Sequence, residues 1–333
     1  MQKIGFVFLL FLSLRLYAQK ISPDDLKELE SMESAMSTPA KNMVFAEEAS
    51  TRFEADSVFT KEFVKALKIR NSFYFPFDSI ITVSKLMAPD SSFRIFTWEL
   101  KRDESYFRQK GAIQMRTKDG SLKLFPLLDM SDYAENPVDS VRSNLNWIGA
   151  IYYNLIMTEN RGKKYYTLFG FDDNNFMSTR KWLEVLTFND TGQPVFGGQY
   201  FDYKEDSLKS PQPAYRFLLE FKKDAGTRLN YDPETKLILF DHLVSESNET
   251  QKKFTLVPDG DFEAFKWQGG RWLHIDTAFH VQIQLGNEPR PKPLFDESGN
   301  PDEELLLKQS EQNEEKQPAP KKKVPPNALD EKK

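Results

Sequence analysis

The chain has 333 residues, 45 Lys+Arg against 50 Asp+Glu for a net charge of -5, no cysteine, 39% hydrophobic and 14% aromatic residues. That apolar content supplies a sizeable core and excludes wholesale disorder, and a mildly acidic balance with scattered basic residues offers no field to gather nucleic acid. The absence of cysteine removes thiol nucleophiles, disulfides, iron–sulfur clusters, thiolate zinc sites and cysteine-linked lipid anchors together.

The N-terminus reads as an export signal. Lys3 supplies positive charge, residues 4–14 form an apolar run, and Tyr17-Ala18-Gln19 places a small residue before a cleavage point. Eleven apolar residues fall short of the roughly twenty needed to span a bilayer as a helix. The expectation is a signal peptide over 1–18 and an exported product, periplasmic or secreted, with no transmembrane helix once the signal is removed.

Next comes a helical segment over 19–70. Ser22-Pro23-Asp24-Asp25 combines a capping hydroxyl, a first-turn proline and two acids that suit the positive end of a helix. Leu26, Leu29, Met32 and Met36 follow at helical spacing, with an end expected near Thr38-Pro39. A second helix is predicted over 56–69, where Phe59, Phe63 and Leu67 line up at four-residue steps.

From residue 71 to 286 the texture is that of antiparallel strands. Candidates are 93–100, 112–117, 122–127, 147–158, 164–171, 181–188, 215–221, 236–243, 254–257, 262–267 and 271–275. Between them lie Lys118-Asp119-Gly120, Asn160-Arg161-Gly162, Asn189-Asp190-Thr191-Gly192, Asp232-Pro233-Glu234-Thr235, Asp259-Gly260 and Gln268-Gly269-Gly270, all with hairpin-turn chemistry. The run 147–156 is apolar on both faces and predicts a central strand covered on both sides. The fold class expected is mainly β (α+β), an antiparallel meander packed as a sandwich or curved sheet behind N-terminal helices. Residues 287–333, rich in Pro, Lys and Glu, read as a disordered tail in which Asn300-Pro301-Asp302-Glu303 opens a short Leu-rich helix.

Four runs, Phe75-Pro76-Phe77-Asp78-Ser79, Ser92-Phe93-Arg94-Ile95-Phe96-Thr97-Trp98, Lys164-Tyr165-Tyr166-Thr167-Leu168-Phe169-Gly170 and Leu239-Phe240-Asp241-His242-Leu243, resemble a family of uncharacterised exported proteins of the Bacteroidota. The resemblance covers roughly residues 70 to 276. That family carries no assigned activity, so the resemblance implies an envelope or secreted setting and nothing about catalysis. In that setting Asp-Ser/Thr followed by an apolar residue or Thr looks like an O-glycosylation acceptor. Five such triplets centre on Ser57, Ser79, Ser140, Ser207 and Thr277, against roughly one expected at random. Capped helices and turns entering strands give the same pattern, and both readings stay open.

Catalytic signals are sparse. There is no phosphate loop, dinucleotide fingerprint or Gly-x-Ser-x-Gly elbow. His242, His274 and His280 lack metalloprotease spacing, although strands can bring His242 and His274 near Asp241 or Asp276. Asp172-Asp173-Asn174-Asn175 and Asp259-Gly260-Asp261 are oxygen-rich turns of the kind that calcium uses, without the spacing of a full calcium loop. Trp267 and Trp272 flank a turn as a cross-strand pair and are the candidate ligand-facing aromatics. No catalytic, metal or cofactor-binding residue stands out and no cofactor is expected. The functional expectation is a non-catalytic binding or assembly component of the cell envelope, with an envelope protein or a glycan as partner. The alternative is a glycan-binding protein or glycoside hydrolase. An outer-membrane barrel fits the strand lengths but not the doubly apolar run or the long polar tail.

Overall fold

A computed structural model describes residues 21–203, 209 and 214–279. The chain divides into two units, 1–280 and 281–333, and every described residue belongs to the first. The expected signal peptide and C-terminal tail lie outside the described residues.

Helix α1 spans Pro23–Phe45, and Ser22 caps it by accepting from the Asp25 amide at 3.1 Å. It runs through Pro39, six residues beyond the expected end. A helix-internal proline removes one backbone bond, but stopping there would forfeit the last turn of the buried stripe, Ala40 and Met43, which continues Leu29 and Met36. Helix α2 spans Ala49–Lys68 and starts seven residues earlier than expected, with no side-chain cap. Its first turn is held instead by Arg52, whose guanidinium donates to the carbonyls of Ala46 and Glu47 ahead of the helix and of Lys101 and Arg102 across from it.

Among the described residues fifteen strands build three open sheets. In the first, β1 (Ser84–Met87), β2 (Phe93–Asp103), β3 (Tyr106–Met115) and β4 (Lys123–Leu127) form an antiparallel meander. The second orders β5 (Arg142–Ser143), β9 (Pro194–Phe196), β8 (Ser178–Phe188), β7 (Lys163–Asp172) and β6 (Ile151–Asn160), with β11 (Phe217–Lys222) on the same side of β8 as β9 but along a different stretch. The third orders β10 (Phe201–Asp202), β15 (Arg271–Phe279), β14 (Leu256–Gln268), β13 (Leu237–Ser245) and β12 (Leu229–Asp232). Every pairing is antiparallel except β10 on β15.

The layers follow from side-chain alternation. Phe96, Trp98 and Leu100 of β2 pack against Leu29, Met36, Phe59 and Phe63 of the helices. From the opposite face of β2, Phe93 and Ile95 meet Tyr166, Leu168, Trp182 and Leu186 of the second sheet. That sheet turns Phe169, Leu183 and Val185 the other way, onto Phe240, Phe265 and Trp272 of the third. The result is a four-layer stack, helices then three sheets, which is the mainly β fold with antiparallel sheets that the strand texture implies. Among the described residues no helix is long and apolar enough to cross a membrane.

Two expectations are corrected. The doubly covered strands are β7 and β8, whereas the apolar run at 147–156 starts its strand only at Ile151 and lies at a sheet edge. Trp147, Ile148 and Ala150 are buried without being a strand. The run turns there because the Gly149 amide bonds Asp129 Oδ1 at 3.1 Å, with the backbone so close that a β-carbon would meet that carboxylate. Gly260, expected in a turn with Asp259, instead sits inside β14 at φ 99°, bending a continuous strand.

At the centre lies a fully buried ion pair. Arg216 Nε donates to Glu184 Oε2 at 2.7 Å, and their side chains are 1% and 2% exposed. The other guanidinium nitrogens reach the carbonyls of Pro137, Ser140 and Phe196. Glu184 also accepts from the Tyr152 hydroxyl, which in turn accepts from Trp147 Nε1 at 2.7 Å. Burial first, then the neighbouring Glu184 charge, push the tyrosine well above its ordinary range and keep it a donor. Removing one partner of such a pair strands the other. Arg216→Met is expected to cost about 3–5 kcal/mol in denaturant unfolding, and adding Glu184→Leu to recover part of that loss, because no buried charge is then left alone.

Candidate functional site

One end of the first two sheets gathers ionisable and exposed aromatic side chains. The β2–β3 hairpin pairs Glu99 with Gln109 and Lys101 with Phe107. Arg52 fixes the hairpin by binding the carbonyls of Lys101 and Arg102. Facing it are the end of β7 at Asp172, the 173–177 connection to β8, and the 129–133 stretch after β4.

A carboxamide links the two sheets here. Gln109, 3% exposed, donates through one nitrogen to Glu99 Oε2 at 2.7 Å and to Asp172 Oδ1 at 3.0 Å. Glu99 is pushed up to about 7, chiefly by burial, with the charges of Asp172 and Asp173 adding to it. Burial likewise pushes Asp172 up to about 6, against the opposing amide of Asn174. Asp129 accepts from the backbone amides of Gln109, Ser131 and Gly149 and locks the neighbouring loop. Lys223 reaches Asp173 Oδ1 at 2.5 Å and lies over the Phe107 ring at 5.0 Å. Around this polar floor Tyr133, Phe176 and Met177 are 78%, 61% and 40% exposed. Tyr106 bonds Asp132 at 3.0 Å and carries Tyr133 to the hairpin, and Met177 accepts from the Lys223 amide at 2.9 Å.

The chemistry is that of a held pair. An acid–base couple for hydrolysis needs room between its carboxyls for a reacting oxygen, and here the Gln109 amide fills that place. The Asp172-Asp173-Asn174-Asn175 oxygens are turned onto backbone as well: Asp172 accepts from the Asn174 amide, and Asn175 from the amides of Met177 and Ser178. In the other acidic turn Asp259 accepts from the Asp261 amide and binds His242 Nδ1. Among the described residues no group of three or more His, Cys, Asp or Glu is arranged to hold a metal.

The histidines part company. His274 is brought to Asp276 at 3.0 Å, as the sequence allowed, and to Glu263, whereas Asp241 accepts from the Arg228 amide. His274 and Asp276 border a cleft of about 280 Å³ that Asp202, Tyr203 and Leu273 also line. Both ring nitrogens of His274 face carboxylates. His280 lies outside the described residues.

Trp267 and Trp272 face each other in register, ring centroids 5.2 Å apart. Trp272 is fully buried and donates to Thr167 Oγ1, so it presents no surface to a ligand; Trp267 is half-buried. The exposed rings at this end are Tyr133 and Phe176, each in a polar loop with no periodic sequence signal; Phe45, Tyr153 and Phe254 are exposed elsewhere on the chain. Of the acceptor triplets, Ser57 is exposed on α2, Ser79 is exposed before β1, and Ser140 is half-buried. Thr277 lies in β15, and Ser207 is outside the described residues.

Compared with known proteins, the chain matches no family model, no curated protein and no solved structure. Fold and site therefore rest on the chain's own geometry.

Because Glu99 and Asp172 are raised by burial, the folded state is favoured most where both are protonated, and stability falls as pH rises through the interval from their ordinary values of 4.5 and 3.8 to about 7 and about 6. Denaturant midpoints followed from acid to neutral pH should show Glu99→Gln gaining on the parent by about 2 kcal/mol, allowing for partial exposure. A constant offset across that range would contradict the assignment.

Proposed function

We propose that this chain is an exported protein of the cell envelope, periplasmic or secreted, that works without catalysis as a binding or assembly component through the hairpin end. The carrying observation is the set of exposed apolar side chains, Tyr133, Phe176 and Met177, around a polar floor whose carboxyls are already engaged by Gln109 and backbone amides. Exposed apolar side chains gathered at one place mark contact surfaces. The leader-like N-terminus supports the exported setting.

A photo-reactive side chain installed in place of Phe176 or Tyr133, in the native envelope, should give discrete cross-linked products. The same probe in place of Ile81, 70% exposed on the approach to β1, should not. Equal products at the three positions, or none at any, would overturn the reading.

A glycan is the second reading of the partner, favoured by planar rings beside carboxyl and carboxamide groups. It predicts that a matching fragment at about a hundred times its dissociation constant adds roughly 2.7 kcal/mol of stability, read by thermal shift and lost in Phe176→Ala. Ser57 and Ser79, both exposed, are open to O-glycosylation. A mature mass equal to the bare polypeptide would remove that reading.

A further inference from the structure

We propose that the Glu99–Gln109–Asp172 bridge is a proton-operated latch: a proton held by the carboxyl pair keeps the first and second sheets closed at the hairpin end, and its loss loosens the 173–177 loop that presents Phe176. The inference rests on the reading of that end as the binding surface and supplies its regulation.

The geometry is specific. Glu99 belongs to the first sheet and Asp172 to the second, and a single neutral nitrogen serves both. Every charged group facing the pair is otherwise engaged. Arg180 from β8 pairs with Glu220 at 2.9 Å, Lys223 after β11 pairs with Asp173, and Asp129 from the loop after β4 is held by three backbone amides. Lys101, farther along β2, pairs with Glu104. Among the described residues no cation forms an ion pair with Glu99 or Asp172, so full ionisation sets two carboxylates side by side in a half-buried place, offset only by the Gln109 carboxamide, the Asn174 amide and the more distant Arg180 charge on Asp172. Relief comes from parting the sheets. The loop is tied to the same atoms, since the Asn174 amide donates to Asp172 Oδ1 and the Asp173 amide points at Glu99 Oε2 from 3.5 Å. Separation of the carboxyls therefore undoes the first turn of the loop, while the Asn175 bonds to the amides of Met177 and Ser178 hold its far end.

Hydrogen exchange of the full chain read by mass spectrometry, at about pH 5 and about pH 8 with labelling times scaled for intrinsic rates, tests this without any ligand. Amides of 99–109 and 172–178 should lose about tenfold protection at the higher pH relative to the middle of β7 and β8. Glu99→Gln, which keeps the shape and the acceptor oxygen, should abolish most of that loss, with Asp172→Asn as the second variant if the first folds poorly. Equal protection of the parent at the two pH values would overturn the latch, as would a pH-dependent loss that survives in a folded variant. Because no partner is involved, a flat exchange result with positive cross-linking at position 176 discards the latch and keeps the surface. The converse result discards the surface and keeps the latch.

Discussion

The rest of the structure depends on burying one arginine and one glutamate together. Arg216 and Glu184 are almost wholly removed from water, a state whose desolvation cost only complete pairing offsets. That requirement draws in distant segments: the carbonyls of Pro137, Ser140 and Phe196, the hydroxyl of Tyr152 and, through it, the Trp147 indole. The irregular stretch between β4 and β6 thus becomes a fixed wall. Its two charged or polar anchors on β6 and β8 define where the second sheet must stand relative to the first.

With the second sheet held there, its inner strands have apolar neighbours on both faces, which is why β7 and β8 carry almost continuous burial. Close approach then becomes the limiting condition. At Gly170 a β-carbon would fall 2.8 Å from that of Ala150, so the strand can pass the buried loop only with hydrogen at that position. The hairpin end is the reverse case, where the two sheets meet through an amide and two carboxyls instead of through hydrocarbon. Elsewhere the same two sheets are joined by the Tyr152 amide on Thr97 Oγ1 and by Lys164 and the Tyr166 hydroxyl on Asp90.

How much of this was legible depended on whether the signal was local. The helical stripes and the turns at Asn160-Arg161-Gly162 and Gln268-Gly269-Gly270, with glycines at φ 76°, 62° and 89°, declare themselves within a few residues and appear as read. Pro39 misled because a local stop signal lost to tertiary burial of Ala40 and Met43. The start of α2 was hidden because its cap is Arg52, acting on carbonyls on both sides rather than through a neighbouring hydroxyl. In the run 147–156, an apolar sequence without period does not distinguish a buried strand from a buried loop, and Asp129 decided it. The site was out of reach for the same reason: Glu99 and Asp172 come from different sheets, and only the packing of those sheets creates the pair.

The short strand β10 has a consequence for the order of events in biosynthesis. Phe201 and Asp202 leave the second sheet's territory between β9 and β11 and pair in parallel with Trp272 and Leu273. Seventy residues of chain must therefore emerge after β10 before its partner strand exists, and contacts of such sequence separation are slow to close. A chain emerging from the ribosome can assemble the helices and the first sheet as they appear. In the third layer β12, β13 and β14 pair locally, and only β10 has to wait for β15. Closure of the outer layer on β10 is thereby deferred until β15 has been made.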